Sequence, residues 1–288
     1  MKKNILTVDG AAFLGLPVID TSVALEVYDI KPETFSAVKA KLVALYGEVN
    51  VIADGKEIAL SRLDSASEIC IAAQHEFAKQ RYNAADALRV TARLTREKDG
   101  CPWDRAQTHE SIRINMIEEA YEAVDAIDKR DVPNMREEFG DVLLQSLLQS
   151  DIARRSGEFT FDDVCDELCK KLIGRHSFIF AGDSAGSADE ALTLWERNKA
   201  TEKNYDTVKT QLSKLPDNFP SLLLAEKTYK KLKKAGYVID PSAELKKAVE
   251  NKDYSAAIYA LVGLLADNGL DAEIELNKSV KAKITDLK

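Results

Sequence analysis

The sequence predicts a mainly α protein with a small α/β segment at its N-terminus. Two patterns carry that expectation. Strand-like runs and the clearest hairpin signal fall before about residue 80. From about residue 82 onward apolar residues recur at helical spacing, punctuated by cap residues. Size and composition agree: 288 residues leave room for two modest domains, and 45% apolar with 31% charged residues is the make-up of a globular chain.

Taken in order, Ala24 to Ile30 reads as a strand. Pro32 to Tyr46 reads as a helix through Phe35, Val38, Leu42 and Leu45, closed by Gly47. Val49 to Ala53 and Ile58 to Leu60 form a hairpin across Asp54-Gly55. No glycine-rich nucleotide loop adjoins these strands. Thr108 is placed to cap a helix running to about Lys129. Asp131-Val132-Pro133 turns into a second, which ends before Gly157. Thr160-x-x-Asp163 starts a third that stops near Gly174, and Ser187-x-x-Glu190 is a capping box for a fourth. Residues 204 to 220, with Pro216 and Pro220, read as a linker. Three more helices follow, broken at Gly236 and Gly269. Of these, Leu222 to Lys234 is lysine-rich on one side.

The net charge of −8 argues against passive binding to nucleic acid or to an anionic membrane, either of which needs a basic face. Ile5 to Val8, after Met1-Lys2-Lys3, is too short an apolar run for a signal peptide, and no stretch is long enough to span a bilayer. The expected setting is the cytoplasm, with Cys70, Cys101, Cys165 and Cys169 reduced. Cys165, Cys169 and His176 lack an evident fourth ligand for zinc.

The chemistry concentrates between residues 118 and 141. Glu118, Glu119 and Glu122 spell EExxE; Glu138 and Asp141 follow as ExxD on the next helix. At 100° per residue Glu118, Glu119, Glu122 and Asp125 share one arc of the first helix, opposite Ile117, Ala120, Tyr121, Val124 and Ile127. That alone describes any amphipathic helix. The second helix is more telling: Phe139, Val142, Leu143, Leu144, Leu147, Leu148 and Ile152 surround it, which predicts burial, and its acids occupy a narrow stripe continued by Gln145 and Gln149. Buried carboxylates need a partner. Arg136 is available to one, but nine acids between 117 and 141 face three basic residues, Lys129, Arg130 and Arg136. A short turn makes the helices antiparallel neighbours, so the acid pairs face each other. Carboxylate-only ligation suits a hard cation such as Mg²⁺, with Mn²⁺ as a substitute, acting on a phosphate ester or anhydride.

Cys101-Pro102-Trp103-Asp104, Gln107-Thr108-His109, EExxE at 118–122, Glu137 to Asp141, Phe159 to Asp163, Lys171-Leu172-Ile173, Arg175-His176, Phe180 and Trp195-Glu196-x-x-Lys199 stand in one order. Over roughly residues 85 to 203 this resembles the MazG family of nucleoside triphosphate pyrophosphohydrolases. The resemblance implies an all-α unit, a MazG-type helical bundle whose four-helix core is completed in a homodimer or higher oligomer. The implied reaction is Mg²⁺-dependent hydrolysis of an NTP or dNTP to monophosphate and pyrophosphate. Glu118, Glu119, Glu122, Glu138 and Asp141 would be the metal-binding acids, with Glu119 or Glu122 also orienting the attacking water. Lys171, Arg175 and Lys199 become phosphate contacts or ordinary helix-end charges. Trp103 and Trp195 become base-stacking residues or core. His109 and His176 read as structural hydrogen-bonders. The family pattern has two arginines before that histidine and a proline after it; here Gly174 and Ser177 stand there, which removes part of the phosphate grip.

Both flanks carry weaker likenesses. Residues 24 to about 70, with Tyr28-Asp29-Ile30, resemble the C-terminal tail of the tetrapyrrole methylase domain, without its cofactor-binding part, and no methyltransferase activity is expected. Residues 215 to 286 resemble a second, degenerate MazG repeat through Phe219 to Leu222, Ala235-Gly236-Tyr237 and Asn277-Lys278. In it Ser255, Ala256 and Tyr259 are expected where Glu137, Glu138 and Asp141 stand in the first copy. The organisation is therefore a remnant at 1–80, a catalytic domain at 85–203 and the degenerate repeat at 215–288. The competing readings are a narrow all-α pyrophosphatase for dUTP, dCTP or phosphoribosyl-ATP, and a non-catalytic helical interaction module.

Overall fold

The computed structural model describes residues 5–75, 77–203 and 207–287. The chain divides into two compact units, residues 1–168 and 169–288.

The first unit opens with β1 (Ile5–Asp9), α1 (Gly10–Gly15), β2 (Ala24–Tyr28), α2 (Pro32–Tyr46), β3 (Asn50–Ala53), β4 (Lys56–Ala59) and β5 (Ile69–Ile71). The sheet order is β1-β2-β5-β3-β4. Among the described residues only the β1–β2 pair is parallel, with Ile5 opposite Ala24. Phe13, Leu25, Val27, Val38, Leu42, Tyr46, Leu60 and Ile69 form its core. The α2 bounds and the β3–β4 hairpin follow the sequence closely. Asp54 (φ 46°) and Gly55 (φ 78°) both take the left-handed conformation that a tight two-residue hairpin demands. β1, α1 and β5 were not legible: the apolar run Ile5 to Val8 reads only as too short for a signal peptide, and β5 has only three residues. Met1 to Lys3 lie outside the described residues. A buried Lys79–Asp86 pair, with Lys79 Nζ also donating to Thr21 and Ser22, ties the sheet to the helices that follow.

Those helices are α3 (Ala84–Leu94), α4 (Pro102–Ala106), α5 (Asn115–Lys129), α6 (Val132–Ser156) and α7 (Phe161–Arg175). Thr108 does not start α5. It exchanges hydrogen bonds with Ser111, and the turn then delivers Ile112 to a small core with Leu148 and Ile152, so α5 begins only at Asn115. α6 stops on schedule at Gly157, whose φ of 75° closes it.

The expectation that α6 is buried all round is corrected. Leu147, Leu148 and Ile152 are buried, but Phe139 is 52% exposed and Leu143 43%. The α5 arc of Ile117, Tyr121, Val124 and Ile127 is likewise exposed, and small Ala123 and Ala126 are buried instead. The α5–α6 pair thus leaves an apolar outer face exposed among the described residues.

The second unit contains α8 (Ser177–Phe180), α9 (Ala188–Glu202), α10 (Val208–Leu212), α11 (Ser221–Lys234), α12 (Pro241–Glu250), α13 (Tyr254–Asp267) and α14 (Ala272–Thr285). Ser187 caps α9 as its motif predicts, accepting from Glu190 N. The stretch read as a linker contains α10, capped by Thr207; residues 204–206 of it lie outside the described residues. Beyond it, among the described residues, stand four helices rather than three. The missed break is at Lys252, a non-glycine residue at φ 58°, followed by the capping Asp253.

Candidate metal centre

α5 and α6 are joined by a tight turn in which Arg130 is left-handed (φ 55°), Asp131 N donates to Ala126 O, and the Asp131 side chain accepts from Asn134 N. This turn folds the helices back on each other and brings together acids far apart in sequence. Carboxylate oxygens of Glu119, Glu122 and Glu138 lie within 4.8 Å of one another.

Burial, then the charges of Asp141, Glu122, Glu138 and Glu118, hold the Glu119 carboxyl above its usual range. Burial, then Glu122, Asp141 and Glu137, does the same to Glu138. Asp141 therefore belongs to the electrostatic cluster, and Glu118 stands at its edge. The basic residues do not resolve it. Lys129 pairs with Asp125 at 2.5 Å, and Arg136 makes no ion pair among the described residues.

Gln145, 5% exposed, approaches Glu119 through Nε2 at 3.5 Å, while its own Oε1 has no protein partner. Three hard oxygens within reach of one ion, surplus negative charge and an unpartnered amide oxygen alongside fit a divalent cation.

The remaining candidates fall elsewhere. Trp103 is 59% exposed, so it is not core. Trp195 is half-buried, with Arg175 Cζ 5.1 Å and Lys199 Nζ 4.7 Å from its ring centroid. Arg175 is buried and makes a bidentate pair with Glu202 at 2.7 and 3.0 Å, which holds the Glu202 carboxyl down to about 2. Lys171 is exposed. His109 Nδ1 meets Gln149 Oε1, and His176 Nδ1 meets the Leu172 carbonyl at 2.7 Å, both structural contacts.

The MazG nucleotide pyrophosphohydrolase domain matches residues 107–180. A nucleoside triphosphate pyrophosphohydrolase of Escherichia coli is 31% identical over 212 residues, covering 67% of this chain and 81% of that protein. The chain belongs to the MazG family. The nucleoside triphosphate pyrophosphohydrolase/pyrophosphatase MazG of Thermotoga maritima is 35% identical, covering 65% of this chain and 77% of its own length. A nucleoside triphosphate pyrophosphohydrolase of Mycolicibacterium smegmatis is 40% identical over 47% of this chain and 42% of that protein.

Two residues of this MazG chain escaped the motif reading. Glu202 locks Arg175, and Asn198 donates to the Arg175 carbonyl at 3.3 Å and to Ser177 Oγ at 2.7 Å. Their partners lie more than twenty residues away in sequence, beyond the reach of local spacing.

Proposed function

We propose that this MazG chain hydrolyses nucleoside triphosphates, ribo or deoxy, to the monophosphate and pyrophosphate in a Mg²⁺-dependent reaction that Mn²⁺ also supports. The observation that carries the reading is the Glu119–Glu122–Glu138 cluster: its oxygens converge, and burial with neighbouring carboxylates holds the Glu119 and Glu138 carboxyls above their usual range.

Glu118 and Asp141 complete the ligand set. A cation held by these acids would offset the triphosphate charge and stabilise charge developing on the leaving pyrophosphate. Glu119 or Glu122 would accept a hydrogen bond from the attacking water. Lys171 and Arg175 supply phosphate contacts, Arg175 in exchange for its Glu202 partner, whereas Lys199 lines a cavity of the second unit and is not assigned to them. Trp103 and Trp195 supply ring faces for the base.

The working form is a homodimer or larger homo-oligomer. The support is the uncovered face of Tyr121, Val124, Phe139 and Leu143, which a two-helix pair leaves in water and a second copy would bury. No helix among the described residues is long and apolar enough to cross a membrane. We place the enzyme in the cytoplasm, without nucleic-acid or membrane partners, clearing non-canonical nucleotides. The N-terminal α/β segment is read as a methylase-like remnant without methyl transfer.

A product assay over canonical and damaged NTPs and dNTPs tests this. Equimolar monophosphate and pyrophosphate are expected, and their loss in Asp141→Ala. Orthophosphate as the product, or full activity in that variant, would overturn the reading.

A further inference from the structure

The second unit holds a cavity of about 670 Å³ between α9, α10 and α11, within the size range of small-molecule sites. One side is apolar, formed by Val208, Leu215 and Phe219. The other is basic to a degree unusual for a chain of net charge −8. Lys227, Lys230, Lys231 and Lys234 sit at i, i+3, i+4 and i+7 on α11, a spacing that stacks them on one face, and Lys199 and Lys214 join them. Like charges at that spacing repel.

Protein acids offset only part of this. Lys230 pairs with Glu226, and Lys234 lies 3.9 Å from Glu196. Lys214, Lys227 and Lys231 make no salt bridge among the described residues. The crowding registers on Lys199: burial first, then the charges of Lys231, Arg175 and Lys227, push its ammonium below the usual lysine range despite Glu196.

An ordinary solvated helix face does not require a cavity or an apolar wall opposite the lysines. Flexible ammonium groups gathered along an open cleft suit several phosphate oxygens as point charges. Val208, Leu215 and Phe219 suit an apolar, planar body attached to them. An inorganic anion satisfies only the first half of the lining, and a lipid chain only the second.

We propose that this cavity is a second ligand site, built wholly from the second unit, that binds a nucleoside di- or triphosphate as an unreacted ligand. The polyphosphate lies along Lys227 and Lys231, and the base lies against Phe219. No carboxylate of the Glu119–Glu122–Glu138 cluster takes part, so occupancy does not require a metal there.

Binding is measured on the full chain in EDTA, so that metal-dependent turnover is off, with ADP, inorganic tripolyphosphate and adenosine as probes. ADP is expected to bind more tightly than tripolyphosphate, adenosine not measurably, and ADP affinity to fall as salt rises. The Lys227→Gln/Lys231→Gln double variant should weaken ADP at least about tenfold, equivalent to about 1.4 kcal/mol. Its helical circular dichroism and its KM for an NTP with Mg²⁺ should stay within error and within twofold. Should the double variant fail to fold, Lys227→Gln, exposed at the cavity rim, is expected to show the same loss at smaller size. Unchanged ADP binding in whichever variant folds overturns the site. Tripolyphosphate binding as tightly as ADP overturns the nucleotide assignment. A KM that rises in step with the ADP loss overturns its separateness from the substrate path. Because ADP is titrated without metal, these outcomes are read even where the proposed hydrolysis is absent.

Discussion

Two helical hairpins in this chain share one turn and differ in what stands on it. α5–α6 turns through left-handed Arg130 into capping Asp131, with Asp131 N bonded to Ala126 O at 3.0 Å. α12–α13 turns through left-handed Lys252 into capping Asp253, with Asp253 N bonded to Ala248 O at 2.9 Å. Ala126 and Ala248 are both buried. Counted from the capping aspartate, Glu138 and Asp141 correspond to Ala260 and Gly263, and Glu122 to Glu244. The register expected from sequence, with Ser255 and Ala256 at the acid positions, is corrected: both lie in the first turn of α13. The contrast is physical. Where α6 presents carboxylates, α13 presents a buried alanine and a glycine on which Tyr229 rests, so the second hairpin has become core.

The comparison breaks most sharply at the paired glutamates. Glu122→Ala is expected to cut Mg²⁺-dependent pyrophosphate release by more than about a hundredfold. Glu244→Ala, at the matching place on α12, should leave it within twofold; equal losses would remove the distinction. Next in size is Phe139→Asp, which puts a charge into the uncovered α5–α6 face. Light scattering at micromolar protein should show monomer, with activity falling at least about tenfold.

Gly263→Ala probes the other hairpin. The added Cβ would lie 2.8 Å from Tyr229 Cε2, an overpacking expected to cost about 1–3 kcal/mol in urea unfolding, with turnover by the folded protein unchanged. The smallest effect is electrostatic. The folded-state carboxyls of Glu119 and Glu138 titrate above their ordinary range. Their contribution to stability is therefore fully present below the unfolded glutamate range and lost as pH rises through the raised folded values. In EDTA, Glu119→Gln should raise the melting midpoint at pH 7 and flatten its fall between acid and neutral pH. An unchanged pH profile would show that the crowding is relieved without metal.

Much of this was legible from residue types with local meaning. Gly47, Gly157 and Ser187 end or start helices by backbone geometry or a single capping bond, and α2, α6 and α9 fall where they say. The acids were legible because carboxylates repeat at helical spacing across a short turn. The face of α5 that meets α6 was not. A helical wheel separates apolar from acidic arcs without saying which arc meets a neighbour, and here Glu119 and Glu122 turn toward α6 while Tyr121 and Val124 turn out. Nor was the Arg175–Glu202 lock, because a pair 27 residues apart leaves no local pattern. Lys252 escaped because a lysine in the left-handed region carries no turn signature of the kind glycine gives.

The central claim is that the acids of α5 and α6 hold a divalent cation. Thermal unfolding followed while Mg²⁺ is titrated into the nucleotide-free protein tests it most directly. A ligand at ten times its Kd stabilises by about 1.4 kcal/mol. The midpoint is therefore expected to climb and saturate at millimolar Mg²⁺ in the wild-type chain and in Glu244→Ala, and to stay flat in Glu138→Gln. A flat wild-type titration, or the same climb in Glu138→Gln, would contradict the account.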